Sequence, residues 1–357
     1  MKRRKTRRIF VGKAAVGGNA PVSVQSMTKT DTRDASATLR QIFSLARAGC
    51  EIVRVAVPDA EAAAALTAVC RRSPLPVIAD IHFDHRLALA AVRAGAAGLR
   101  LNPGNIGAAA KVREVIAACR ERKIPIRVGV NAGSLEKGIA GKYGGATPRA
   151  LAESALREVR LIEKEGYREI KISVKAFDIP VTVAAYRLLA NKVDYPFHIG
   201  ITEAGPFLPG TVRSAIGIGA LLLEGLGDTI RVSLSAPPEE EVRVGKLILQ
   251  SLGLRSFGPV LVSCPTCGRC RIDLLPLVRE VEEALNSPRF RKLAGITVAV
   301  MGCVVNGPGE AKGADIGIAA GSRSASLFQR GKVVKTVPAA RIVKTLLGEL
   351  ARFPLRR

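Results

Sequence analysis

Four of the seven cysteines in this 357-residue chain fall between residues 259 and 310: Cys264, Cys267 and Cys270 in PVLVSCPTCGRC, and Cys303 in GITVAVMGCVVNGPGE. Pro265 and Gly268 bend the backbone between the first sulfurs, and Asn306-Gly307-Pro308-Gly309 forms a second loop that carries Glu310. Short Cys-x-x-Cys steps with a distant ligand returned by a second loop suit zinc or an iron-sulfur cluster. The plainer reading is that small cysteines pack in strands, but three of these share one loop bounded by Gly and Pro, and that spacing favours a metal.

A second set of chemically capable residues recurs inside short β-rich runs. Side chains two or four apart in a strand share a face. Arg100 and Asn102 therefore stand together, as do Arg127 and Asn131, Asp80 and His82, Lys171, Ser173 and Lys175, His198 and Thr202, and Arg231, Ser233 and Ser235. Arg54 lies in mid-strand. A guanidinium buried in a parallel sheet is costly unless something anionic meets it. Here Arg54, Arg100, Arg127, Lys175 and Arg231 face only Asp80 and Glu203 as carboxylates. The surplus points to a polyanionic ligand, most simply a phosphate or diphosphate, for which Arg supplies forked donors and Lys a point charge. An internal salt-bridge network is the competing explanation. His82 and His198 lie at strand ends beside this cluster, whereas His85 is expected on a helix surface.

These residues must be held by eight strands: 22–26, 52–57, 76–80, 98–102, 126–131, 169–174, 197–202 and 229–234. Helical patterns at 36–48, 60–72, 149–165 and 239–250 alternate with them. Right-handed βα crossovers of this number close most simply into a (β/α)8 TIM barrel, with polar strand ends at the C-terminal mouth. A doubly wound open sheet fits less well, because no strand leads into a complete Gly-x-Gly-x-x-Gly turn and NPGNIG (102–107) alone is weak. After residue 250 the rhythm changes, and GLRSFGPV (253–260) reads as the boundary. The chain is expected to divide into a barrel, 1–252, and a smaller α/β domain, 253–357, with strands at 259–264, 296–302, 314–319 and 325–337 and helices near 273–286 and 338–352.

Composition narrows the partners. The net charge is +25, but aromatics make up 4% with no Trp, a poor supply of stacking platforms for nucleic acid. Six of residues 2–8 are basic and are expected to form a solvated tail. From residue 255 onward 17 Lys/Arg stand against 7 Asp/Glu, a surface that would steer an acidic electron carrier toward the cysteine loops. No run approaches the roughly 18 apolar residues of a membrane span, the first residues lack the apolar core of a secretory signal, and the cytoplasm is expected.

The ordered runs VQSMTKTDT (24–32), VRVAVPD (53–59), ADIHFD (79–84), LRLNPGNIG (99–107), VGVNAGSLE (128–136), GITEAG (200–205), SCPTCGR (263–269) and MGCVVNGPGEA (301–311) closely resemble the 4-hydroxy-3-methylbut-2-enyl diphosphate synthase family in its compact two-domain bacterial form. The resemblance implies reductive ring opening of 2-C-methyl-D-erythritol 2,4-cyclodiphosphate with two electrons and loss of water, in the non-mevalonate route to isoprenoids. It implies a 4Fe-4S cluster held at Cys264, Cys267, Cys303 and Glu310. A carboxylate is a weaker, harder ligand for iron than thiolate, so Glu310 can yield a coordination site. Cys270 departs from the family pattern. It could displace Glu310, but the intact Asn-Gly-Pro-Gly-Glu loop favours a bystander thiol, and Cys50, Cys70 and Cys119 are expected merely to pack.

Matched position by position, Arg54, Arg100, Arg127, Lys175 and Ser233 would hold the diphosphate. Asp80, Asn102, Asn131, His198 and Thr202 would line the ring and its hydroxyls, with Asn306 a further contact. Glu203 is the candidate acid/base group, with a salt bridge to a cluster arginine as its plainer role. The family further implies ferredoxin or flavodoxin as electron donor and a homodimer in which one subunit's small domain covers its partner's barrel. Two other classes remain to be weighed: a zinc-stabilised RNA-binding barrel, and a metal-free phosphosugar isomerase or aldolase using Lys175 or Lys171. Both leave MGCVVNGPGE without a purpose. A radical S-adenosylmethionine enzyme would need a three-residue first gap between cysteines, which is missing.

Overall fold

The computed structural model describes residues 2–270, 272–303 and 307–354, and the chain divides into two compact units between Arg255 and Ser256. The first opens with a hairpin, β1 (Ile9–Val11) and β2 (Ala14–Val16), followed by β3 (Ser23–Met27), β4 (Ile52–Ala56), β5 (Val77–Asp80), β6 (Gly98–Arg100), β7 (Ile126–Asn131), β8 (Ile170–Lys175), β9 (His198–Ile199) and β10 (Thr229–Ile230). Strands β3 to β10 form one parallel sheet in the order β8-β7-β6-β5-β4-β3-β10-β9, and an isolated parallel bridge between Ile172 and Phe197 joins its two edges. The eight-stranded TIM barrel is the architecture expected from the alternating runs.

The helices obey local punctuation. Asp34, Asp59, Asp84, Thr147 and Asp178 each cap a helix N-terminus by accepting a backbone N–H with the side chain, which satisfies a donor that the helix itself leaves free. Val, Ile, Leu and Ala then face the strands and are buried, as in Leu39, Ile42 and Leu45 of the helix Ala35–Ala48. Strands β9 and β10 are shorter than the alternating pattern suggests. A Cβ on Gly200 would stand 2.3 Å from the Arg231 carbonyl oxygen, so the two chains approach here more closely than any side-chain-bearing residue allows.

The basic N-terminal residues correct one expectation. They are not a solvated tail. Arg3 pairs with the buried Asp228 at 2.9 Å, Arg4 donates to the carbonyls of Val193 and Tyr195 and lies 3.9 Å above the Phe197 ring, and Arg7 pairs with Asp194. Asp228 precedes β10, so this strap closes the N-terminal end of the barrel. The hairpin packs beside it, with Ile9, Val11 and Val16 against Ile52 and Ile78.

The second unit is a five-stranded sheet in the order β11 (Val260–Ser263), β12 (Thr297–Met301), β13 (Ile316–Ala320), β14 (Ser324–Gln329) and β15 (Lys332–Pro338). The first three are parallel and the last two antiparallel. The region 325–337, expected as one strand, is a hairpin: Arg330 and Gly331 both take positive φ (48° and 79°), the geometry of a tight two-residue turn whose twist suits the flanking strands. Helices Leu274–Leu285 and Ile342–Ala351 bury Val281, Leu285, Leu346 and Leu350 in one core with the sheet.

Candidate active site

Seven successive barrel strands deliver polar side chains to one cavity of about 220 Å3, lined by Arg54, Asp80, His82, Arg100, Arg127, Gly129, Asn131, Ser173, Lys175, Thr202, Arg231 and Ser233. The register explains the convergence. Asp80 pairs with Arg100, Arg100 with Arg127, and Asn131 with Lys175 on neighbouring strands. Parallel strands in this register turn paired side chains to one face, so that Asp80, Arg100 and Arg127 form one row and Asn131 and Lys175 a second row at the C-terminal ends of β7 and β8, where barrels carry their chemistry.

Five cations and one carboxylate line this cavity. Asp80 is 4% exposed and sits between two guanidiniums, with Arg54 Nε at 3.4 Å and Arg100 Nη1 at 3.2 Å. Burial alone would raise its carboxyl pKa, but Arg54, Arg100 and Arg127 outweigh burial and hold it below its ordinary value. Arg100 also donates to the Gly129 carbonyl at 3.0 Å and meets His82 Nδ1 at 3.1 Å. Arg127 has no such company. It is buried, and its Nε and Nη1 find no partner. Burial, reinforced by Arg54 and Arg100, pushes its pKa well down, and burial with Arg231 and Arg127 does the same to Lys175.

Glu241 is the partner that strand-face reasoning missed. It is 1% exposed, in the first turn of the helix Pro238–Ser251. Its carboxylate accepts from Ser26 Oγ and Leu234 N, both at 3.1 Å, and meets Lys29 Nζ at 3.2 Å and Arg231 Nη2 at 3.4 Å. The signal was available, since Glu241 shares the buried helical stripe of Val244, Gly245 and Ile248. An internal network thus exists, but it pairs Arg54, Arg100 and Arg231 and leaves Arg127 and Lys175 outside.

Other residues take different places. Asn102 exchanges two hydrogen bonds with the Gly129 backbone and braces β6 against β7. His198 is fully buried, bonded through Nδ1 to Thr229 Oγ1 at 2.8 Å, and its Nε2 has no partner. Glu203 follows Thr202 but does not line the cavity and is exposed, with a positive φ of 52°. That left-handed backbone, unusual away from Gly, turns the chain sharply just beyond the pocket. Asn306 lies outside the described residues.

In the second unit, β11 and β12 are parallel neighbours with Ser263 opposite Val300, so Cys264 and Cys303 emerge at the same end of the sheet. Cys264 N donates to the Val300 carbonyl at 3.2 Å. Cys267 is exposed, and its thiol pKa is lowered by hydrogen bonds from the Arg269 backbone and side chain. Glu310 is exposed in the first turn of the helix Gly307–Gly313, which packs against β12 and β13. Cys270 instead donates to the Ile272 carbonyl at 3.2 Å and crowds Gly302. Among the described residues no three His, Cys, Asp or Glu side chains already stand close enough to hold a metal ion. The thiols of Cys50, Cys70 and Cys119 are pushed up to about 12 by burial, as packing residues would be.

The GcpE TIM-barrel domain model matches residues 6–246, and the GcpE protein C-terminal domain model matches residues 260–352. The chain belongs to the GcpE family. A relative from Geobacter sulfurreducens, 4-hydroxy-3-methylbut-2-en-1-yl diphosphate synthase (flavodoxin), is 60% identical over 353 residues, covering 98% of each chain. A protein of the same name from Thermodesulfovibrio yellowstonii is 54% identical over 99% of this chain and 100% of its own. Among solved structures, an N-acetylneuraminic acid synthetase from Leptospira borgpetersenii superposes with a TM-score of 0.50 at 14% identity, covering 81% of this chain and 99% of that one. That likeness concerns fold alone. The GcpE relatives differ in kind, because they match barrel and small domain together.

Proposed function

We propose that this chain is a cytoplasmic, flavodoxin-dependent 4-hydroxy-3-methylbut-2-enyl diphosphate synthase, which opens and dehydrates 2-C-methyl-D-erythritol 2,4-cyclodiphosphate. The observation that carries the reading is a closed-barrel cavity with five cations and one carboxylate, in a chain whose GcpE relatives bear that enzyme's name along their full length. Arg54, Arg100, Arg127, Lys175 and Ser233 hold the diphosphate. Asp80, Asn131 and Thr202 face the ring hydroxyls, while Asn102 and His198 act from behind the wall. The RNA-binding alternative has no support among the relatives.

The donor set of the second unit fits a 4Fe-4S cluster. Two thiols leave adjacent parallel strands at one end, a third follows within the same loop, and a single carboxylate completes a set of three soft donors and one hard one. Cys264, Cys267, Cys303 and Glu310 would hold the cluster, which when bound supplies electrons singly and a Lewis-acidic site. Cys270, tied to Ile272, is a bystander.

Two electrons and one proton convert the cyclic diphosphate to the allylic diphosphate and water. The ring carbon–oxygen bond breaks, and the freed phosphate oxygen keeps the bonding pair and gains negative charge. Arg54, Arg100, Arg127 and Lys175 are fixed where that charge develops, so little reorganisation accompanies it. The departing hydroxyl takes one proton and leaves as water. Glu203 is the candidate donor, following Thr202 of the pocket wall and exposed. The basic second unit suits an acidic flavodoxin. Leu208, Val212, Ile216 and Leu223 form an exposed apolar stripe on the helix Phe207–Leu223, which supports burial between two copies in a homodimer.

The test is anaerobic purification with iron, sulfide and zinc measured per chain, followed by turnover of the cyclodiphosphate with reduced flavodoxin. About four irons with broad visible absorption and allylic diphosphate as product are expected. Zinc in place of iron after attempted reconstitution, or a reconstituted cluster without turnover, would reject the assignment.

A further inference from the structure

His82 lines the pocket, yet neither the diphosphate contacts nor the proton transfer proposed above uses it. It follows β5 two residues after Asp80, with a side chain 54% exposed. Its Nδ1 stands 3.1 Å from Arg100 Nη1, and its Nε2 stands 3.9 Å from Asp80 Oδ1. Arg100 can only donate, so a ring nitrogen must accept; Nδ1 is the nearer, with Nε2 at 3.5 Å from the same Nη1, and it accepts in the neutral tautomer that carries its proton on Nε2. The same Arg100 Nη1 is shared with Asp80 Oδ1 at 3.2 Å. One guanidinium nitrogen is therefore shared by two acceptors that line the cavity with it, and is not free for a ligand.

Burial, more than the surrounding charges, favours this neutral form. Burial weighs first; Asp80 opposes it, and Arg100 from β6 and Arg54 from β4 add to it, so the imidazole binds a proton less readily than usual. Arg127, Lys175 and Arg231 face the same cavity from β7, β8 and the segment after β10, and Asp84 beyond it is occupied by Arg86. A diphosphate entering among these cations reverses the balance, because its negative charge favours the imidazolium. An imidazolium has no lone pair for Arg100 and must release it.

Resting on the diphosphate reading above, we propose that His82 is a positioning residue for Arg100. The neutral ring parks the guanidinium in the empty pocket; as a diphosphate enters, His82 takes up a proton, turns to Asp80, and frees an Arg100 N–H for phosphate. No covalent bond changes, and the proton comes from solvent. The consequence is a pH-linked affinity. Binding strengthens as pH falls through the bound-state midpoint of His82, and the gain levels off below the free-state midpoint.

The chain contains three histidines, so the holoenzyme labelled at the histidine ring carbons offers a simple NMR titration. His82→Gln assigns the resonance and keeps an acceptor for Arg100 without a titrating group. In the wild type the His82 midpoint should lie below that of a free histidine and rise by about one pH unit or more when inorganic pyrophosphate or the cyclodiphosphate saturates the pocket. The ratio of wild-type to His82→Gln affinity should rise about tenfold per pH unit between the two midpoints. A midpoint that stays fixed at saturation, or an affinity ratio flat with pH, overturns the proposal. If pyrophosphate moves the midpoint while the cyclodiphosphate fails to bind, the linkage stands and the substrate assignment falls. If the cyclodiphosphate is turned over while the midpoint stays fixed, the substrate assignment stands and the linkage falls. Failure of both ligands to bind removes both.

Discussion

Replacing Arg127 by methionine should make the ligand-free protein more stable and the pocket less able to bind a diphosphate. Arg127 stands in a row of cations, in register with Arg100 on one side and Lys171 on the other. It is 3% exposed, and two of its three nitrogens have no partner. An unpaired buried donor costs about 1–3 kcal/mol, and a buried ion several kcal/mol before compensation. Methionine keeps the apolar stem and removes both penalties, so a gain of about 2–3 kcal/mol is expected. For a unit of this size that is a rise in Tm of roughly 4–12 °C. Scanning calorimetry in phosphate- and sulfate-free buffer measures it. Isothermal titration with pyrophosphate should show affinity reduced roughly 10- to 100-fold, the loss of a charged hydrogen bond. Arg100→Met is the control, because Arg100 has Asp80 and the Gly129 carbonyl as partners; its removal should destabilise. A lower Tm for Arg127→Met in the empty protein would refute the reasoning, since it would mean that Arg127 is already compensated without a ligand.

Three further outcomes are expected. Glu203→Gln should keep cluster content and substrate binding while single-turnover rates fall by about 100-fold or more; unimpaired turnover would remove Glu203 from the chemistry. Cys270→Ser should retain full iron content and visible absorption, because that thiol is engaged with Ile272, whereas Cys264→Ser or Cys303→Ser should lose the cluster on iron analysis. Arg3→Ala should destabilise the barrel by roughly 3 kcal/mol in chemical denaturation, by leaving Asp228 buried with less counter-charge. Burial already raises the Asp228 carboxyl. An acid whose folded pKa lies above its unfolded value destabilises as pH rises between the two, so the Arg3→Ala deficit should be smallest in acid and reach its full size at neutral pH.

The barrel was readable because three signals agree: β-branched runs, Ala-rich helical stretches, and Asp or Thr at the helix starts. The inward faces were readable for a related reason. Period-two alternation put Arg100 with Asn102 and Arg127 with Asn131, and the register set all of these but Asn102 around one cavity. What stayed hidden depends on contacts distant in sequence. Glu241 is one of three consecutive glutamates; helical periodicity places it on the stripe of Val244, Gly245 and Ile248, but only the tertiary fold shows that Lys29 and Arg231 meet it there. Six cations among residues 2–8 look like a solvated tail, because nothing local reveals that Asp228 waits more than 200 residues away. The hairpin within 324–338 was obscured because its turn, Arg330-Gly331, lacks the Asn or Asp that usually announces one.

The arrangement of charge also separates what holds the barrel from what serves a ligand. Each buried carboxylate near the mouth is engaged locally, Asp80 by Arg54 and Arg100, and Glu241 by Lys29, Arg231 and the Leu234 amide. A barrel built only for stability would pair the remaining cations or replace them with apolar residues, which is often neutral or favourable. Arg127 and Lys175 are neither paired nor replaced. On the proposed reading, their cost is carried by the ligand-free protein and recovered when phosphate oxygens arrive, so part of the binding energy would already be stored as unpaired charge. Such a pocket favours a dianion or trianion over a neutral sugar, because a neutral molecule leaves the surplus unmet. It also favours the opened diphosphate over the cyclic one, since ring opening adds negative charge against cations already in position. If these cations hold the diphosphate as proposed, the fixed surplus would assist ring opening itself, and product release would have to overcome the same attraction.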